Sequence, residues 1–134
     1  MNTLVDLSIL NFKFVNKPLL IGGKALEYYG IRKAGSDIDL VISIEDHKKL
    51  VLQFPSNIKD LFGDIGICEY GFEIWNQICR YTYYELKPDA IELDTILVAS
   101  IEKLILLKTL AIHIPKYYND LILIKDYLLK EKYK

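Results

Sequence analysis

The most constraining feature of this chain is a stretch of 24 residues, Leu20 to Ser43, built as an apolar run, a Gly22-Gly23 pair, a short helical segment and an Asp37-Ile38-Asp39 triplet. Each part restricts the backbone. The apolar run Pro18 to Ile21 stops at paired glycines, as a buried strand entering a tight turn does. Lys24 to Tyr29 reads as a helix that Gly30 ends. From Ser36 to Ser43 the pattern opens as strict alternation and turns continuously apolar, which suits a strand whose first half borders a cleft. Residues two apart on a strand face the same way, so the spacing predicts that Asp37 and Asp39 project side by side. Like charges placed so closely repel each other unless a cation lies between them.

That pairing points to chemistry. Glycines at a strand-to-helix turn let backbone N–H groups approach an anion without Cβ obstruction, and the helix start adds partial positive charge. Two neighbouring carboxylates can share Mg²⁺ with the oxygens of a triphosphate, and the ion then offsets charge that develops during phosphoryl or nucleotidyl transfer. The expectation is an anion seat at Gly22 and Gly23 beside a divalent cation at Asp37 and Asp39.

The rest of the chain supplies a frame. Glu45 to Phe54 reads as a helix ended by Pro55, Gly66 to Ile78 as two strands turning near Gly71, and Ile91 to Val98 as a further strand. Ser100 can cap a helix carrying Ile101, Leu104, Ile105 and Leu107, and Pro115 can open a last helix bearing Leu121, Ile124 and Leu128. The fold class is therefore α/β (α+β), a mixed sheet with flanking helices and C-terminal helices. With no internal repeat, linker or low-complexity segment, residues 1–134 read as one domain, and an apolar content of 51% is enough for a real core. The 17 basic and 18 acidic residues create no global field for nucleic acid, so contact with a polyanion has to be local, for instance through Lys103, Lys108, Lys116 and Lys125. Cys68 and Cys79 have neither disulfide-framework nor metal-ligand spacing and read as reduced core residues. No stretch reaches the roughly 18 apolar residues of a membrane span, and MNTLVDLSIL lacks the pattern of a secretion signal, so the expectation is a cytoplasmic protein without a membrane partner.

Gly22-Gly23 followed by Asp37-Ile-Asp39 resembles the signature of the polymerase-β-like nucleotidyltransferase superfamily. The segments Gly-Gly-Lys-Ala-Leu, Gly30-Ile-Arg32 and Ser36-Asp-Ile-Asp-Leu40 resemble its small bacterial members related to abortive-infection toxins. Ile101-Glu-Lys-Leu-Ile-Leu-Leu-Lys108 and Lys116-Tyr-Tyr-Asn-Asp120 extend the likeness, which runs from about Leu19 to Leu128. The resemblance implies a nucleotidyltransferase-like sheet and an Mg²⁺- or Mn²⁺-dependent enzyme. It would move a nucleoside monophosphate from a nucleoside triphosphate to an acceptor hydroxyl of tRNA, protein or a small molecule, in a toxin–antitoxin setting with an antitoxin or helical protein as partner. A catalytically degenerate module that binds a nucleotide or a partner protein is the alternative.

The resemblance also assigns roles. Asp37 and Asp39 would be catalytic metal ligands, with Gly22, Gly23, Arg32, Ser36 and Lys108 on the nucleotide. Asp120 would orient Lys108 or a substrate group. Relatives often carry a serine directly after the second glycine, where this chain has Lys24. Polymerase-type members add a third carboxylate from a neighbouring strand. Glu73 is the candidate metal ligand because it alternates with Phe72 and Ile74, and Asp94 is its rival. Read from pattern alone, Lys108 either snorkels beside Leu104 and Ile105 or reaches a phosphate, and Asp120 can equally be a first-turn acid favoured by the helix dipole. His47 and His113 lack ligand-spaced partners and read as structural or surface residues; the tyrosine pairs read as core edges or a partner surface at least as readily as base-stacking platforms.

Overall fold

The computed structural model describes residues 4–134. Strand β1 (Leu19–Ile21) has all its residues buried, and a strand covered on both faces belongs in a sheet interior. β2 (Ile38–Val41) pairs with it antiparallel and β9 (Leu97–Val98) parallel. Outside β2 lie β5 (Phe72–Trp75), parallel to it, then β4 (Asp64–Glu69) and β3 (Ile58–Leu61), each antiparallel to its neighbour. β8 (Ile91–Glu92) closes the other edge, giving a mixed seven-stranded sheet of order β3-β4-β5-β2-β1-β9-β8. A separate two-stranded ribbon joins β6 (Gln77–Ile78) to β7 (Tyr81–Thr82).

Five α-helices accompany the strands among the described residues, besides a 3-10 turn at Ser8–Leu10: α1 (Gly22–Tyr28), α2 (Ile44–Gln53), α3 (Tyr83–Leu86), α4 (Ile101–Leu110) and α5 (Pro115–Lys132). Their starts follow local chemistry. Ser43 and Ser100 accept hydrogen bonds from the backbone N–H of Asp46 and Lys103, Thr82 and Glu85 form a capping box, and Pro115 occupies the first turn of α5. The buried Asp46 accepts from the backbone N–H of Val15 and Asn16, both at 3.0 Å, tying the N-terminal segment to α2. His47 is buried and bonded at 2.9 Å to the Ile65 carbonyl, so it joins α2 to β4, whereas His113 is exposed. No helix among the described residues is long and apolar enough to cross a membrane.

Several segments depart from the reading of the sequence. Ile91 to Val98 is a hairpin, not one strand: the Leu93 N–H bonds to the Ile96 carbonyl at 2.9 Å, and the polar Asp94-Thr95 pair sits in the turn. Cys79 is exposed in the β6–β7 turn at φ 48°, not in the core, and Cys68 is half-buried; both are free thiols. β3, the β6–β7 ribbon and α3 have no counterpart in the pattern reading.

The register positions what matters for function. Asp39 lies opposite Ile21 on β1 and Glu73 on β5. Trp75 shares the face of Glu73, and its neighbour on β4 is Gly66, which in turn opposes Lys59 on β3. A Cβ at Gly66 would stand 2.9 Å from the indole ring, so the missing side chain is what lets Trp75 lie flat across β4. Gly66→Ala is expected to destabilise the fold by about 1–3 kcal/mol, the usual cost of overpacking, read from urea unfolding followed by circular dichroism.

Candidate functional site

The site is an open cavity of about 400 Å³ between the sheet face and the C-terminal helices. Asp37, Asp39 and Glu73 line its sheet side, and Gly22 and Gly23 form its corner. Lys59, Lys108 and Lys116 also face it, with Tyr117, while Trp75, Ile78, Leu104 and Leu107 supply apolar wall.

The corner owes its shape to glycine. Gly22 has φ 69°, a left-handed conformation that disfavours side chains, and a Cβ there would stand 2.5 Å from Asp39 Oδ2. The carboxylate of Asp39 therefore packs directly on the turn. Ile21 at the N-cap of α1 contributes no side-chain bond, which leaves the first N–H groups of the helix uncapped beside that carboxylate. Asp37 is exposed just before β2, and Asp39 is half-buried within it. Both line the cavity, as their spacing in the sequence predicts.

Burial, then the charges of Glu73 and Asp37, push the Asp39 carboxyl up from 3.8 to about 6, against the opposing pull of Lys108 and Lys116. An anionic cluster that raises its own proton affinity is one a divalent ion would relieve, so the donor set fits Mg²⁺ or Mn²⁺. As the side chains stand, no three acidic, histidine or cysteine groups among the described residues are gathered into a cage for a metal. Glu73 instead meets Lys59, whose ammonium lies 3.2 Å from its Oε1.

Behind the cavity lies a buried ionic node. Asp120 on α5, 3% exposed, takes Arg32 Nε at 2.7 Å and a second guanidinium nitrogen at 3.0 Å, and Lys108 Nζ at 3.0 Å. Burial works to raise the Asp120 carboxyl, but the bonds from Arg32 and Lys108 prevail and hold it below the ordinary value. Lys108, 5% exposed, has its pKa lowered by burial despite Asp120, and its ammonium lies 4.6 Å from the centre of the Tyr117 ring. Neither simple reading of Lys108 is therefore complete: it is buried, paired and at the cavity wall.

The structure brings Gly22, Gly23, Asp37, Asp39, Glu73 and Lys108 to one cavity, with Asp120 directly behind. It does not bring Ser36, which is exposed and outside the lining. Arg32 stands against Gly23, 3.3 Å from where its Cβ would be, but its fork is spent on Asp120 rather than directed into the cavity. Asp94, at the exposed tip of the β8–β9 hairpin, lies outside the lining too, so Glu73 is the carboxylate that accompanies the pair. Lys59 and Trp75, to which the sequence assigns no role, also line the cavity, as does Tyr117 of the Tyr117-Tyr118 pair. The turn residues Phe62-Gly63 just ahead of the Asp64–Glu69 strand are the one local hairpin signal that could have pointed to Lys59. Comparison of the chain with protein-family models, with curated proteins and with solved structures finds no match.

Two consequences are measurable. The folded state binds the Asp39 proton more tightly than an unfolded chain, so ionised Asp39 costs stability above pH 6, and the cost disappears as pH falls from about 6 toward 4. His47, whose pKa burial lowers, acts oppositely, losing stability as pH drops below 6.5, so the variant comparison is what isolates Asp39. Asp39→Asn is expected to be more stable than wild type at pH 7.5, with the advantage gone by about pH 4.5 in parallel urea titrations. Asp120→Ala strands two cations in a buried site and is expected to cost about 3–5 kcal/mol by the same measurement.

Proposed function

We propose that this protein is a nucleotidyltransferase that transfers a nucleoside monophosphate from a nucleoside triphosphate to an acceptor hydroxyl with release of pyrophosphate. One observation carries the reading: Asp39 and Glu73, paired across two adjacent parallel strands, and Asp37 just before the first of them face the same cavity as a Gly-Gly corner at a helix start and the ammonium groups of Lys108 and Lys116. The likeness of Gly22-Gly23, Asp37-Ile-Asp39 and Lys108 to the polymerase-β-like superfamily supports the same conclusion.

In this reading Asp37, Asp39 and Glu73 hold Mg²⁺ or Mn²⁺, which offsets negative charge on the triphosphate when bound. The uncapped backbone N–H groups at Gly22 and Gly23 donate to phosphate oxygens. Lys108, kept in place by Asp120 and the Tyr117 ring, directs its remaining donors at the triphosphate. Arg32 contributes at one remove, by fixing Asp120 and so the position of Lys108. The acceptor hydroxyl oxygen attacks the α-phosphorus as the bond to the β-phosphate oxygen breaks; its proton passes to solvent, and the two outer phosphates depart as pyrophosphate. Positioning and electrostatics supply most of the rate, because the protein itself forms no covalent bond. A substrate of this kind and two free thiols agree with a cytoplasmic protein.

The test is Mg²⁺-dependent binding of labelled ATP and GTP, followed by transfer of the α-labelled nucleotide to total tRNA, to protein and to small hydroxyl compounds. Asp39→Asn should abolish both. Lys108→Met leaves the Arg32–Asp120 pair intact, so folding should survive while affinity or turnover falls by about 1.5–3 kcal/mol, the scale of a charge-assisted hydrogen bond. Mg²⁺-dependent binding that Asp39→Asn removes, without transfer to any acceptor, would assign the site to a nucleotide-binding module, a reading that the Lys59–Glu73 pair favours. Absence of such binding would remove the proposal.

A further inference from the structure

Lys59 is the cavity's least expected resident. It comes from β3, the edge strand, whose four residues are all exposed, and it crosses β4 to meet Glu73 on β5. Gly66 faces Lys59 across the β3–β4 pair, and the space over its missing side chain is taken by the Trp75 ring, so Lys59 reaches Glu73 beside that ring. The Lys59 side chain is 53% exposed and that of Glu73 25%, so the pair sits at the cavity mouth in contact with water.

A carboxylate paired with an ammonium cannot offer the same oxygen to a metal. A lysine is also a compact charge on a flexible four-carbon stem, suited to exchanging one anion for another nearby. On the proposed reading of this site, we infer that Lys59 is a substrate-positioning cation that alternates between two partners: it neutralises Glu73 while no metal is bound, and moves to a phosphate oxygen of the nucleotide once Glu73 turns to the metal. The two roles have opposite consequences for binding. Held on Glu73, Lys59 competes with the divalent ion; released, it strengthens the grip on the polyanion that accompanies that ion. A lysine fixed on Glu73 would oppose the ion without strengthening the grip on the nucleotide, and a lysine remote from the site would do neither.

The experiment is calorimetric titration of Mn²⁺ into wild type, Lys59→Met and Lys59→Arg, with Asp39→Asn as the control for site occupancy. The α,β-methylene analogue of ATP is then titrated at saturating Mn²⁺. Lys59→Met should tighten Mn²⁺ binding about three- to tenfold and weaken binding of the analogue by a similar factor, consistent with a partly exposed pair. Lys59→Arg, which keeps the charge, should stay within about twofold of wild type in both titrations. Changes of the same sign in the two titrations, or no change in either, overturn the inference and leave the metal site standing if Asp39→Asn still abolishes Mn²⁺ binding. If Mn²⁺ binds neither wild type nor Lys59→Met at a site dependent on Asp39, the metal site falls and the inference with it.

Discussion

The carboxylate of Asp120 joins three parts of the chain that are remote in sequence. Arg32 arrives from the loop after α1, Lys108 from α4 and Asp120 from α5, and the three meet almost out of water. A single anion facing two cations leaves the node positively charged overall, toward the side where the cavity lies. The bidentate geometry of Arg32 fixes the carboxylate plane, and the carboxylate in turn limits where the Lys108 ammonium can go. Without this joint, α4 and α5 would have little ionic reason to stand over the Gly22-Gly23 corner, and the cavity would lose its far wall.

Across the cavity the arrangement is reversed. There the negative charges exceed their partners, and Asp39 carries the strain as a carboxyl held near pH 6 by burial, Glu73 and Asp37. One side of the site is thus preorganised for an anion and the other for a cation, a polarity matching a metal-bound polyphosphate, whose two components have opposite charges. The cluster costs stability in the absence of such a ligand, as sites built for function commonly do.

The legible part of this structure was local. Paired glycines before an Asp-x-Asp strand, Ser caps and a Pro-led helix each declare themselves within a few residues, and β1, β2, α4 and α5 appear where those signals stand. The spacing of Asp37 and Asp39 placed both on one cavity because alternation on a strand has a fixed period. What could not be read was set by partners far away. The role of Arg32 is decided by Asp120, 88 residues distant. Choosing Glu73 over Asp94 required knowing that β5, not the β8–β9 hairpin, is the neighbour of β2. Cys79 read as a core residue because its spacing from Cys68 fits neither a disulfide framework nor a metal site, but the chain reverses at Cys79 and Arg80, both with positive φ, and the thiol is left outside. β3 escaped because a strand exposed on every residue has no buried face to impose an apolar rhythm.

The order of the strands bears on how the molecule comes to exist at all. β3, β4 and β5 are consecutive hairpin neighbours and close only short loops, so they can pair early at small entropic cost. β1 must wait for Leu97 and Val98, and the Arg32 fork must wait for the last helix. Contacts of such long sequence separation slow the final stage of folding. On a ribosome, the sheet's outer half can emerge and pair while the cavity still lacks two of its walls, so no nascent chain holds a finished site before α5 has cleared the exit.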